Sequence, residues 1–176
     1  MQLTSFTFLF AFLPVSLLFL LLFRKRLPWQ NAALLILSVL FCAASGLAGF
    51  LAGLLETLAV YALALILARA DRPKARKTVF TLGVLFCVGL LCYFKYTNFL
   101  LGALSLPTVS LLPAPLGVSF LTFLLISYLI DVYRGKIPAE TRFDRFLLFA
   151  LFFPKAAQGP LCRYEDFSSQ LETRAD

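Results

Sequence analysis

The sequence predicts an all-α, polytopic transmembrane helical bundle that closes on a re-entrant or interfacial segment. Three observations carry that prediction. Residues 1–23 and 28–55 contain no charged side chain. The composition is 61% hydrophobic and only 14% charged, too oily for a domain whose surface must meet water. And the apolar runs are separated by short, mostly basic punctuation, the pattern of a chain whose solvent is a lipid bilayer.

Each element follows in order, and the whole chain, 1–176, reads as one transmembrane portion. A first span is expected over 6–23, long enough to cross at helical rise, with Pro14 kinking it and Arg24, Lys25, Arg26 and Pro28 ending it. No basic residue precedes this run and no small-residue cleavage site precedes Arg24, so it reads as a retained span rather than a signal peptide. The oily stretch that follows is too long for one helix, and Ser45-Gly46 is the expected turn, giving spans over 31–44 and 47–68. Gly46, Gly49 and Gly53, with Ala48 and Ala52, either offer close helix contact or break a lone oily helix. Arg69, Arg72, Lys74, Arg76 and Lys77 then form the most basic loop, where Pro73 excludes a continuous helix. Spans four and five are expected over 79–101 and 116–133, joined by an uncharged connection over 102–112. Residues 146–153 are apolar but too few to cross. Pro154 and Gly159-Pro160 then bend the chain, so 146–160 is expected to be re-entrant or interfacial, with both ends on one side and Tyr164 to Phe167 at the surface.

Charge tests this map. Loops after spans one, three and five are basic, whereas those after spans two and four carry no charge. The positive-inside rule then places the basic loops in the cytoplasm and the amino terminus outside. The same rule accounts for the excess of Lys and Arg without nucleic acid, since no basic patch with interleaved aromatics lies outside the runs.

Histidine is absent from the chain. That removes the commonest general base, the commonest metal ligand and every His-activated nucleophile. Of the four cysteines, Cys42, Cys87 and Cys92 lie in apolar runs and Cys162 does not; none forms a CxxC pair, so neither a metal site nor a disulfide is expected. Three ionisable residues fall inside spans, where each costs about 2.5–3.5 kcal/mol at mid-bilayer and usually faces protein or water. Glu56 is the deepest and reads either as lining a polar cavity or clamping helices, or as a protonated, hydrogen-bonded carboxyl. Lys95, within Tyr93-Phe94-Lys95-Tyr96, reads as a snorkelling lysine in an outer aromatic belt. Asp131, at the inner end of span five, shares a face with Arg134 and could pair with it. A direct Lys95–Asp131 pair is not expected, since the two fall near opposite membrane faces.

From position 93 onward a family pattern emerges. Tyr93-Phe94-Lys95-Tyr96, Pro115-Leu116-Gly117-Val118-Ser119-Phe120, the run from Ser127 to Gly135 reading SYLIDVYRG, Phe152-Phe153-Pro154 and the run from Gly159 to Phe167 reading GPLCRYEDF occur in that order. The series resembles the amino-terminal half of membrane-bound O-acyltransferases, in the branch of alginate O-acetyltransferases and teichoic-acid D-alanyl-transfer proteins of bacteria. That resemblance implies a multi-pass protein of the bacterial inner membrane. It would move an acyl group from a cytoplasmic thioester donor, coenzyme A or an acyl carrier protein, to a hydroxyl on an extracytoplasmic polymer. It also implies a catalytic histidine in a later helix. With none here, no catalytic residue is assigned within the chain, which reads as inactive alone and as needing a carboxy-terminal half or a second subunit. A non-catalytic membrane scaffold is the alternative. The expected contribution is the donor entrance, for which Lys155, Gly159, Pro160, Arg163 and Tyr164 are the candidates. Lys155 and Arg163 would meet either the anionic phosphates of a carrier cofactor or lipid headgroups.

Overall fold

In the computed structural model, residues 10, 12–22, 27–105, 107, 114–115, 117–152 and 163–172 are described. Every regular element among them is helical: α1 (Leu13–Leu22), α2 (Leu27–Ser45), α3 (Leu47–Arg69), α4 (Pro73–Ala103), α5 (Val118–Tyr133), α6 (Phe143–Leu151) and α7 (Tyr164–Glu172). The protein is an all-α membrane helical bundle. The helices α2, α3 and α4 are long and apolar enough to cross a bilayer, and α5 is a shorter apolar helix.

Of the prolines expected to kink or stop helices, Pro14 is the second residue of α1 but follows Phe10 and Phe12, which are already π-helical, so it is not at a helix start. Two others do sit at helix starts, Pro28 as the second residue of α2 and Pro73 as the first of α4. In a first helical turn the N–H that proline lacks has no intrahelical partner anyway, so the residue costs nothing there and its fixed φ suits the helix. Consequently α2 spans 19 residues rather than the expected 14-residue stretch 31–44. Likewise α4 runs 31 residues and takes Lys74, Arg76 and Lys77 into its first turns. Only 70–72 remain non-helical of the expected basic loop. The part of the first expected span before Phe10, and most of 102–112, lie outside the described residues.

The packing is inside-out relative to a water-soluble bundle. On α3 the buried face is Gly49, Gly53, Glu56, Thr57, Val60, Ala64 and Leu67. Its outer face presents Leu47, Leu51, Leu55, Leu58 and Ile66, all exposed, as a helix bathed in lipid does. Small residues inside let neighbours approach: a Cβ on Gly53 would come within 3.2 Å of Leu121 Cδ2 and 3.3 Å of Pro115 Cβ. Gly46 has the other role considered for these glycines. It is the break between α2 and α3, at φ 151°, a conformation that side-chain-bearing residues rarely adopt. Helix α3 is packed against α2, α4 and α5, while α6 lies across α2, α3 and α5 and α7 across α2 and α6.

Candidate functional site

Side-chain contacts gather the basic segments at one end of the bundle. Arg76, in the first turns of α4, donates from Nη2 to the carbonyl oxygens of Tyr133 at 3.0 Å and Val132 at 3.5 Å, the last residues of α5. A guanidinium there adds a donor to the carbonyls of the helix end and complements the negative end of the helix dipole. Phe80, one turn further along α4, stacks on Tyr133 with ring centroids 4.5 Å apart.

Beyond Tyr133 the chain reverses. The Gly135 N–H donates to Val132 O at 3.1 Å and the Lys136 N–H to Asp131 O at 3.0 Å, with Gly135 at φ 70°. This paired arrangement is the Schellman closure of a helix, which needs a left-handed residue where Gly135 stands. It folds Lys136 back so that its Nζ lies 4.0 Å from Asp131 Oδ1. The expected Asp131–Arg134 pairing is therefore replaced by Asp131–Lys136. Helical spacing does not continue past Tyr133, and Arg134, the capping residue, is exposed.

Residues 137–142 are tied down by tyrosines from three helices. The Glu140 N–H donates to Tyr128 Oη at 2.8 Å, the Arg142 N–H donates to Glu140 Oε1 at 2.8 Å, and Tyr164 Oη donates to Glu140 Oε2. Tyr61 Oη donates to Thr141 O at 2.6 Å. Around this polar knot the rings of Tyr61, Tyr128, Phe146, Phe149, Tyr164 and Phe167 pack with centroids between 4.8 and 6.3 Å. Burial and the neighbouring Glu140 carboxylate push the Tyr164 hydroxyl well above the ordinary tyrosine range. At the start of α6, Arg142 forms a bidentate pair with Asp144, Nη2 to Oδ2 at 2.8 Å and Nε to Oδ1 at 3.3 Å, which holds the Asp144 carboxyl below its usual range.

Of the donor-entrance candidates, Lys155, Gly159 and Pro160 lie outside the described residues, as does all of 153–162. Arg163 is exposed immediately before α7. Tyr164 and Phe167, expected at the surface, are buried at 5% and 4% exposure. Their rings are needed to cover Phe149, and the Tyr164 hydroxyl is bound to Glu140. Sequence reasoning missed Glu140, Tyr128, Tyr61 and Arg76, because their partners lie 12 to 80 residues away.

The other polar residues sit away from this end. Glu56 is fully buried between α3 and α5; Thr122 Oγ1 donates to its Oε1 at 2.9 Å, while Oε2 has no partner among the described residues. The contact is a helix–helix clamp, one of the roles considered for Glu56. Lys95 Nζ lies 3.5 Å from Ser119 Oγ, at the start of α5. Asp131 is twelve residues further along that helix, about 18 Å away at helical rise. Among the described residues no cluster of Cys, Asp and Glu could hold a metal ion.

No family model matches the chain and no solved structure matches it. Curated relatives do. It is 34% identical to the probable alginate O-acetylase AlgI of Pseudomonas syringae pv. tomato over 99% of this chain and 35% of that protein. It is 36% identical to the same-named protein of Pseudomonas putida over 99% of this chain and 38% of that protein. Over nearly its whole length the chain is similar to part of these O-acetylases, which bears out the resemblance to membrane-bound O-acyltransferases. A more distant relative, the peptidoglycan O-acetyltransferase of Helicobacter pylori, is 27% identical over 95% of this chain and 38% of its own length. The chain thus spans little more than a third of the length of the relatives it matches.

Proposed function

We propose that this chain supplies the membrane scaffold and donor-side entrance of an O-acetyltransferase. That enzyme would carry an acetyl group from a cytoplasmic thioester to a hydroxyl of an extracytoplasmic envelope polymer. The carrying observation is the near full-length likeness to relatives whose names share O-acetyl transfer and differ in the polymer, alginate or peptidoglycan. The hydroxyl oxygen would attack the thioester carbonyl and the thiol would leave. A hydroxyl ionises far above neutral pH, so the step needs a positioned base. These 176 residues contain no histidine, and the buried polar groups near the basic end are engaged in structure. In this reading they position the reaction, and the base comes from another part of the protein or a second subunit.

The orientation follows from charge: basic end in the cytoplasm, amino terminus outside, in the bacterial inner membrane. The tyrosine knot anchors α7, and with it Arg163, beside the route for the thioester. Lys155 and Arg163 would meet the donor's phosphates, from coenzyme A or an acyl carrier protein, with Gly159 and Pro160 bending the backbone there. The test is the envelope of a deletion strain. Loss of O-acetyl groups from one polymer, restored by the intact gene, is the expected result; unchanged acetylation of every envelope polymer overturns the reading. In the active protein, Lys155→Ala with Arg163→Ala should raise the donor KM several-fold with kcat nearly unchanged.

A further inference from the structure

Beside the tyrosine knot, α2, α6 and α7 line a cleft of about 470 Å³, within the range that small-molecule sites occupy, about 300–1,000 Å³. Its two ends differ in chemistry. Ala32, Leu35, Leu148 and Leu171 line an apolar floor, and Arg142 and Arg145 stand three residues apart at the start of α6. The Asp144 carboxylate, also in the lining, takes two of the five N–H donors of Arg142, so the guanidinium retains three for another acceptor. Asn31 is in the lining too, and its Nδ2 donates to Leu171 O at 3.1 Å, closing α7 onto α2.

Position decides what such a cleft would hold. Helix α6 has nine residues, about 13 Å at helical rise, and charges only in its first turn, so it lies at the membrane boundary rather than across it. Leu27, also in the lining, directly follows Arg24-Lys25-Arg26 in the sequence. The opening therefore falls where headgroups lie, at the end that concentrates cations, with an oily floor leading from it. Basic pockets between membrane helices suit anionic headgroups.

We propose that this cleft seats one anionic phospholipid, its phosphate held between Arg142 and Arg145 and an acyl chain laid along Ala32, Leu35 and Leu148. The lipid would wedge α6 against α2 and so brace the tyrosine knot, to which Arg142 is bonded through Glu140.

Native mass spectrometry of the full-length protein, released from nanodiscs of equimolar phosphatidylglycerol and phosphatidylcholine, tests this. Phosphatidylglycerol should be retained at least about fivefold over phosphatidylcholine. Arg142→Gln with Arg145→Gln should bring that ratio near one. Ala32→Trp, an exposed position whose substitution leaves both cations in place, should reduce retained lipid of either kind; this arm decides the matter if the arginine variant does not fold. Equal retention of the two lipids by the unaltered protein, or retention unchanged in the variants, overturns the proposal. So does displacement of the lipid by millimolar inorganic phosphate, glycerol 3-phosphate or coenzyme A, which would mark a site for a soluble anion instead.

Discussion

Glu56 and Thr122 form a buried polar pair across α3 and α5, and the two residues predict opposite outcomes when changed singly or together. Thr122→Val removes the hydroxyl donor and leaves a carboxyl with neither oxygen partnered among the described residues. Leaving a buried acceptor unsatisfied costs about 1–3 kcal/mol, whereas replacing both partners by apolar groups of similar shape is nearly neutral. Thr122→Val should therefore lower the detergent-solubilised Tm by several degrees, and adding Glu56→Leu should restore most of it. A double variant less stable than Thr122→Val alone would argue against the clamp. That Glu56 would face protein or water rather than lipid was legible from its depth in an uncharged run. That Thr122 is its partner was not, since a threonine within an apolar run gives no sign of pairing 66 residues away.

Two predictions belong to the elements and the joints between them. Gly46 meets nothing within 4 Å of an added Cβ, so Gly46→Ala introduces no clash, yet its φ of 151° excludes a side chain without strain. The cost should be about 1–3 kcal/mol, visible as a lower Tm with unchanged helical content. The second concerns α7. The Tyr164 hydroxyl is bound as a donor to Glu140, and its folded pKa is raised above the ordinary value of 10.0. The stabilisation is thus complete below pH 10 and is lost as the pH rises above it, because the unfolded tyrosine ionises first. Amide exchange in α7 should accelerate above pH 10, and Tyr164→Phe should flatten that rise while leaving α7 less protected at neutral pH. The helices themselves were legible as long oily runs, but their starts were misjudged wherever proline was read as a stop. Composition identifies a proline as punctuation; only the chain's path shows which side of it the helix lies on.

Across the whole molecule, the contacts Arg76–Tyr133, Tyr61–Thr141 and Asn31–Leu171 bring to one end the segments that follow or precede every basic loop. Gly46 and the Lys95–Ser119 contact mark the other. A topology reporter fused after Lys77 should read cytoplasmic and one fused near Ser105 should read external. Single cysteines at positions 145 and 168, in a background freed of native cysteines, should both be labelled from the cytoplasmic side, since α6 and α7 pack on each other. Labelling of position 168 only from outside would place α7 across the membrane from α6 and remove the geometry of the proposed donor entrance.

Sequence by itself determined the solvent and the class, because hydropathy acts on each segment independently of its neighbours. It also carried the likeness to O-acyltransferases, through motifs such as SYLIDVYRG that are local strings. Tertiary structure alone decided which polar groups meet. Lys136 reaches Asp131 only because the chain reverses at Gly135, and Tyr164 is interior only because Phe149 and Tyr128 lie beneath it. Hydrogen bonds are short and directional, so partners distant in sequence are chosen by where the packed helices place them.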